Sequence, residues 1–317
     1  MTAGPPATTA PVEPVLSAAP HPRRRSHGAP SALAALPWLA PSLLLILGVV
    51  LYPAGYMIYT SFRKFTKIGS ERGPAGFDNY VAALTYPGVP IGRVFLNTFV
   101  WVFAVTLITV LISLALAQFL HKEFPGRKVV RLAVVVPWAA SVVMTTSVFF
   151  YGLNPDYGII NRALVDVGVL DSPYGFTKSA TSAFLVAIVV AVFVSLPFTT
   201  YTILSGLQSV PDDVIEAAHM DGAGAWTRYR RIVLPMLRPS IAVATLIMII
   251  NVFNSLPILR ILVEAPGYDA DITTTLIFKY KTLLGPGVSS ALSVVNFLVV
   301  LTVIAVYLAV LKPTKER

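Results

Sequence analysis

Six apolar runs, at about 31–59, 94–120, 129–153, 181–206, 239–262 and 288–311, leave this chain few ways to fold. Each reaches or exceeds the roughly 20 residues a helix needs to cross about 30 Å of hydrocarbon. The chain is 12% charged and 56% hydrophobic, against roughly 25% charged for a soluble protein. So few charges cannot clothe several helices in water-facing surface, and lipid is the expected solvent. In lipid every backbone N–H and C=O must find its partner within the spanning structure, which makes each run a helix. The expected fold class is an all-α membrane protein with six transmembrane helices.

Residues 1–30 are rich in Pro, Ala and Thr and carry Arg23, Arg24 and Arg25. They hold too little apolar surface to fold and are expected to form a disordered cytoplasmic tail. The run that follows is longer than the 7–15-residue core of a signal peptide, so it is expected to stay as the first span. Residues 31–311 then form one six-span domain and 312–317 a second cytoplasmic tail. With both ends inside, 14 of the 24 Lys and Arg fall in cytoplasmic segments, the usual sign of orientation. The net charge of +9 is explained this way, and nucleic acid is not an expected partner. The absence of cysteine excludes disulfides, thiolate metal sites and thiol nucleophiles.

This orientation puts one polar connector, Ser209 to Pro239, in the cytoplasm between spans four and five. Pro211 suits the first turn of a short helix, and Asp212 and Asp213 complement its positive end. Val214, Ala217 and Ala218 share a face at i, i+3 and i+4, flat enough for a partner's surface to approach. Gly222 and Gly224 permit a sharp turn. A second short helix over about 225–234 carries Trp226, Tyr229, Arg230 and Val233 on one face, with Pro235 expected to stop it. The connector is therefore expected to present two short helices in an L.

Within the connector, Glu216, Ala217, Ala218, Gly222, Ile232, Leu234 and Pro235 follow the pattern EAA-x3-G-x9-I-x-LP. Seven residue types at fixed spacing should recur by chance on the order of once in a million chains of this length. The pattern resembles the signature loop of permease subunits in bacterial binding-protein-dependent ABC importers, carbohydrate-uptake type. Tyr52-Pro53, Gly76-Phe77-Asp78-Asn79-Tyr80 and Gly158-Ile159-Ile160-Asn161 add weaker likeness, so the resemblance covers about 35–311.

The resemblance implies the type I importer permease fold, with the loop forming coupling helices seated in a cleft of a cytoplasmic ATPase subunit. Glu216, Ala217, Ala218, Asp221 and Gly222 carry that role, with Ala225 and Arg230 beside them in the second short helix. The implied partners are an ATP-binding subunit dimer, a homologous second permease subunit and an external substrate-binding protein. The implied location is the bacterial cytoplasmic membrane. No G-x-x-x-x-G-K-[ST] phosphate loop occurs, so no cofactor is expected on this chain, and ATP with Mg²⁺ would bind the partner ATPase. No catalytic or metal site is expected.

Polar residues within spans point to a pathway. Ser195 in span four and Asn251, Asn254 and Ser255 in span five can hydrogen-bond a sugar, and Phe193 and Phe198 can offer it an aromatic face. Pro197 and Pro257 fall mid-span, where a broken helix exposes backbone to a cavity. Such a pathway suits a sugar or oligosaccharide; a polyol or glycerol phosphate-type solute is the alternative. A secondary transporter driven by an ion gradient would favour Asp, Glu or His within the spans, and the middles of the six runs contain none. A membrane enzyme would need a carboxylate pair or metal-ligand cluster, which the spans also lack.

Overall fold

The computed structural model describes residue 4, residues 32–264 and residues 267–311, with side chains in the long segments from 37 onward. The two tails expected at 1–30 and 312–317 lie outside the described residues, residue 4 apart. The chain divides into two compact units between Pro53 and Ala54.

The first unit holds α1 (Ala32–Leu45), a π turn (Ile46–Leu51) and the start of α2 (Tyr52–Ser61). Pro37 and Pro41 lie inside α1. The wider π turn, one residue per turn looser than an α-helix, then interrupts the span expected to be regular.

The second unit continues with a hairpin, β1 (Arg63–Phe65) and β2 (Glu71–Pro74), paired antiparallel with Arg63 opposite Pro74. This corrects the all-α expectation: the segment lies outside the apolar runs, where water can satisfy a strand edge. After α3 (Asp78–Thr85) comes α4 (Ile91–His121), then α5 (Arg127–Ala139), α6 (Val142–Gly152), α7 (Ile159–Asp166) and α8 (Ala180–Gln208). The connector forms α9 (Asp212–Met220), α10 (Ala225–Arg228), a second π turn (Tyr229–Val233) and α11 (Leu234–Met236). The chain ends in α12 (Arg238–Phe253), α13 (Pro257–Leu262), α14 (Thr273–Leu283) and α15 (Pro286–Leu311).

Among the described residues, four continuous helices are long and apolar enough to cross a membrane: Pro37–Ser61, α4, α8 and α15. The expected third span is instead two helices, α5 and α6, bent by 95°. Ala140 and Ser141 both take extended backbone between them, and Pro137 has already removed a hydrogen bond from the last turns of α5. The expected fifth span is also broken, between α12 and α13, while α12 joins the connector helices across a 63° bend.

The core follows from α8, half of whose most apolar window is buried. Ala183, Ala187 and Ala191, four apart, give it a buried face of small side chains, which lets neighbouring helices approach closely. Around it pack Trp101 and Val105 of α4, Met248 and Phe253 of α12 and Leu259 of α13. A second cluster at the other end of α4 joins Leu120, Ile203, Leu207, Val233 and Leu237, so the connector is rooted in the core. A third, with Val94, Leu276, Tyr280 and Leu292, seats α14 against α4 and α15. Burial pushes the Tyr280 phenol up to about 12, helped by Tyr268 and Tyr86, and its hydroxyl donates to Ala83 O at 3.2 Å.

Large side chains such as Phe103, Leu111, Leu298 and Val306 stay exposed along the long helices. Apolar surface on this scale has no place in water and fits contact with lipid.

Candidate functional site

Two regions contain the residues singled out from sequence. The first is the connector. Asp212 and Asp213 occupy the first turn of α9, with Pro211 immediately before it. At its far end Asp221 N donates to Ala217 O and Ala223 N to Ala218 O, both at 3.0 Å. Gly222 N donates to His219 O at 3.0 Å with φ +75°, a left-handed conformation that side chains resist. Gly224 has φ −61° and needs no such freedom.

Arg228 then bridges the two short helices, its guanidinium donating to His219 Nδ1 at 2.5 Å and to Ala223 O at 3.3 Å. His219 is thus part of the corner. Ala218 is buried, while Glu216, Ala217, Asp221, Gly222, Ala225 and Arg230 are exposed. The α9 face is therefore divided: Ala218 turns inward, and Ala217 and Glu216 stay accessible.

Pro235 does not stop the second helix. The backbone continues through it to Met236 by way of the π turn, in which Leu234 N reaches back to Tyr229 O. A wider turn ahead of the proline relieves the clash its ring would otherwise make with the preceding turn. The chain bends one residue later, at Leu237, whose side chain is fully buried.

The second region is the break in the expected fifth span. Pro257 has no N–H to offer Phe253 O. Asn254 N donates instead to Val252 O, while its side-chain amide donates to Ile250 O at 2.8 Å, replacing the lost helical bond. Val252 O also accepts from Ser255 N at 3.2 Å and from the Trp101 indole at 3.1 Å. The other proline behaves differently: α8 runs through Pro197 unbroken. Thr199, next to Pro197, is fully buried and bonds Ser195 O at 3.1 Å, and Thr200 bonds Ser113 of α4 at 3.1 Å.

A cavity of about 520 Å³ opens beside the break, between α8, α12 and the α5–α6 bend. Ser195, Phe198, Asn251, Asn254 and Ser255 line it, together with Trp101 and Trp138. Its volume falls within the roughly 300–1,000 Å³ usual for small-molecule sites. Phe193 is not among the lining residues; its ring packs edge-on against Phe149, centroids 5.4 Å apart. Sequence reasoning missed the two tryptophans, although each is the single Trp of its apolar run. Arg260 lies outside the cavity lining, its guanidinium 5.4 Å above the Phe278 ring.

With this geometry in view, the likeness to known proteins is specific. The family model described as "Binding-protein-dependent transport system inner membrane component" matches residues 109–312. A probable ABC transporter permease protein of Brucella suis is 32% identical over 274 residues, covering 86% of this chain and 94% of that one. The trehalose/maltose transport system permease protein MalF of Thermococcus litoralis is 30% identical over 276 residues, covering 86% and 91%. Among solved structures, a chain of a bacterial alginate ABC transporter, crystallised with an alginate-bound periplasmic protein, matches with TM-score 0.74. It is 20% identical and covers 90% of this chain and 96% of that one, so it shows a shared fold.

The chain belongs to the family of inner-membrane components of binding-protein-dependent transport systems. It is a multi-pass inner-membrane permease, and the family is one of transporter subunits rather than enzymes.

Proposed function

We propose that this chain is the membrane-spanning permease subunit of an ATP-driven importer for a sugar or oligosaccharide. The observation that carries the reading is the cavity at the α12–α13 break, where two amides, two hydroxyls and aromatic rings converge. That set matches what a sugar requires: hydrogen bonds around its rim and a flat apolar face. Relatives named for trehalose/maltose, trehalose and sulfoquinovosyl glycerol transport support the class. The last keeps a glycerol-linked solute as the alternative cargo.

In this reading the chain crosses the membrane six times, with α5–α6 and α12–α13 each serving as one span and both termini cytoplasmic. A homologous permease completes the pathway, an external binding protein delivers the cargo, and two ATP-binding subunits with their ATP and Mg²⁺ drive the cycle. Glu216, Ala217, Ala218, Asp221, Gly222, Ala225 and Arg230 mark the loop that meets an ATP-binding subunit. The corner held by Arg228 and His219 makes this loop a rigid lever: force on α9 reaches Val233 and Leu237, which sit in the same packed cluster as α4 and α8. Alternating access follows if that cluster moves as a body.

The test is uptake by the reconstituted complex. Asn254→Leu removes an amide from the cavity wall, and uptake is expected to fall about tenfold, the scale of one or two lost hydrogen bonds. Assembly and basal ATP hydrolysis should stay intact. Unchanged transport kinetics would remove Asn254 from the pathway.

A further inference from the structure

A second, smaller cavity, of about 280 Å³, lies between the start of α12 and the end of α15. Its walls include Arg230, Leu234, Arg238, Ile241, Tyr307 and Leu311, and no acidic residue lines it. We propose that this cleft binds the phosphate of an anionic phospholipid.

Three features carry the proposal. The charge is of one sign and unspent: among the described residues neither Arg230 nor Arg238 makes an ion pair or side-chain hydrogen bond. Two guanidiniums can each present a fork of donors to phosphate oxygens. The N-terminus of α12, a 16-residue helix with no side-chain cap and no acidic residue in its first turn, adds the positive end of a helix dipole. The Tyr307 hydroxyl already donates to Ala242 O at 3.0 Å, which leaves the arginines as the donors facing an anion.

The remaining walls identify the source of the phosphate. Leu234, Ile241 and Leu311 are apolar, and the cavity stands where two apolar helices end, the depth of lipid headgroups. From Leu311 the surface of α15 runs on through exposed Leu308 and Leu301 along one helical row, a track for acyl chains that a soluble phosphate would not use. The cleft holds one arginine of the second connector helix and one of α12, so a bound lipid would staple the connector to the membrane boundary. This places lipid at one pocket and leaves the α9 face free.

The measurement is lipid retention by the purified full chain in detergent, read by native mass spectrometry. The probes are phosphatidylglycerol and phosphatidylcholine of matched chains. The wild-type chain should retain phosphatidylglycerol at least tenfold better, and Arg230→Gln/Arg238→Gln should lose that preference, at about tenfold or more for each charged contact removed. Arg230→Lys/Arg238→Lys should keep part of it. Inorganic phosphate at the same concentration should leave the lipid bound. Equal retention of both lipids by the wild-type chain would overturn the proposal, as would full retention by the glutamine variant. Displacement by inorganic phosphate would replace the lipid with a soluble anion. Should the double variant fail to fold, the wild-type comparison and Arg238→Gln alone decide the matter. None of these readouts depends on transport.

Discussion

Gly206 illustrates how much can rest on one missing side chain. A Cβ built there would lie 2.1 Å from Ser240 Oγ and 2.5 Å from Ser240 Cβ, so α8 and α12 touch at this point. Interiors this tightly packed cannot absorb an added methyl without shifting backbone. Gly206→Ala is expected to cost about 1–3 kcal/mol, seen as a lower thermal midpoint of the chain in detergent. Gly206→Ala/Ser240→Gly should recover most of the loss; a double variant no better than the single one would mean the two helices do not meet here. Nothing in the sequence marks this contact, because Gly206 and Ser240 sit in separate apolar runs and only their crossing pairs them. Gly222 is the opposite case. Its need for a left-handed backbone was readable from its place between two short helices, since few other residues could turn there.

At the scale of elements, the two mid-span prolines part company. Both remove one backbone donor, yet α8 stays whole at Pro197 while the helix breaks before Pro257. The difference lies in the preceding residues. Asn254, three residues before Pro257, can satisfy a helical carbonyl with its own side chain, which offers the backbone an alternative to continuing the helix, whereas the residue three before Pro197 is Val194, and Pro197 itself is buried. The sequence displayed the prolines but not the packing that decides between them. Pro257→Ala restores an N–H to Phe253 O and is expected to favour a continuous α12–α13 helix. Uptake should drop sharply while the chain inserts and folds at least as stably; full uptake would separate the break from transport. The third and fifth expected spans were legible as apolar runs, and Pro257 marked the break in the fifth, but the 95° bend between α5 and α6 was not legible. Hydropathy measures where lipid is preferred and is silent on direction.

At the scale of the whole molecule, the composition alone calls for a membrane setting, and the connector's spacing carries the resemblance to the family. What resisted reading was where the polar residues in the spans would point. Thr146 and Ser147 spend their hydroxyls on their own helix, and Tyr201 donates to Arg131 O at 2.8 Å, whereas Asn251 and Ser255 reach the cavity. All carry the same signal in sequence. Gly222→Val should strain the corner by roughly 1–2 kcal/mol without affecting membrane insertion. In the assembled transporter, substrate-stimulated ATP hydrolysis should be lost while binding of cargo by the external protein is unchanged. Normal stimulation in that variant would mean the connector does not carry the signal.

The π turn at Tyr229–Val233 has a consequence for how this chain can vary. It holds one residue more than an α-helical turn would need, so deleting a single residue there could be absorbed as an ordinary helix with its hydrogen bonds intact. Five residues of a π turn cover about the same rotation as four of an α-helix. Deleting the spare residue therefore leaves Trp226 and the α9 face at nearly the same azimuth to the bundle, whereas a deletion in α10, a regular helix, would swing α9 by about 100°. The length of this short segment can change by one residue without a change of aim, and a hybrid joining two related permeases here need not match its frame to the residue.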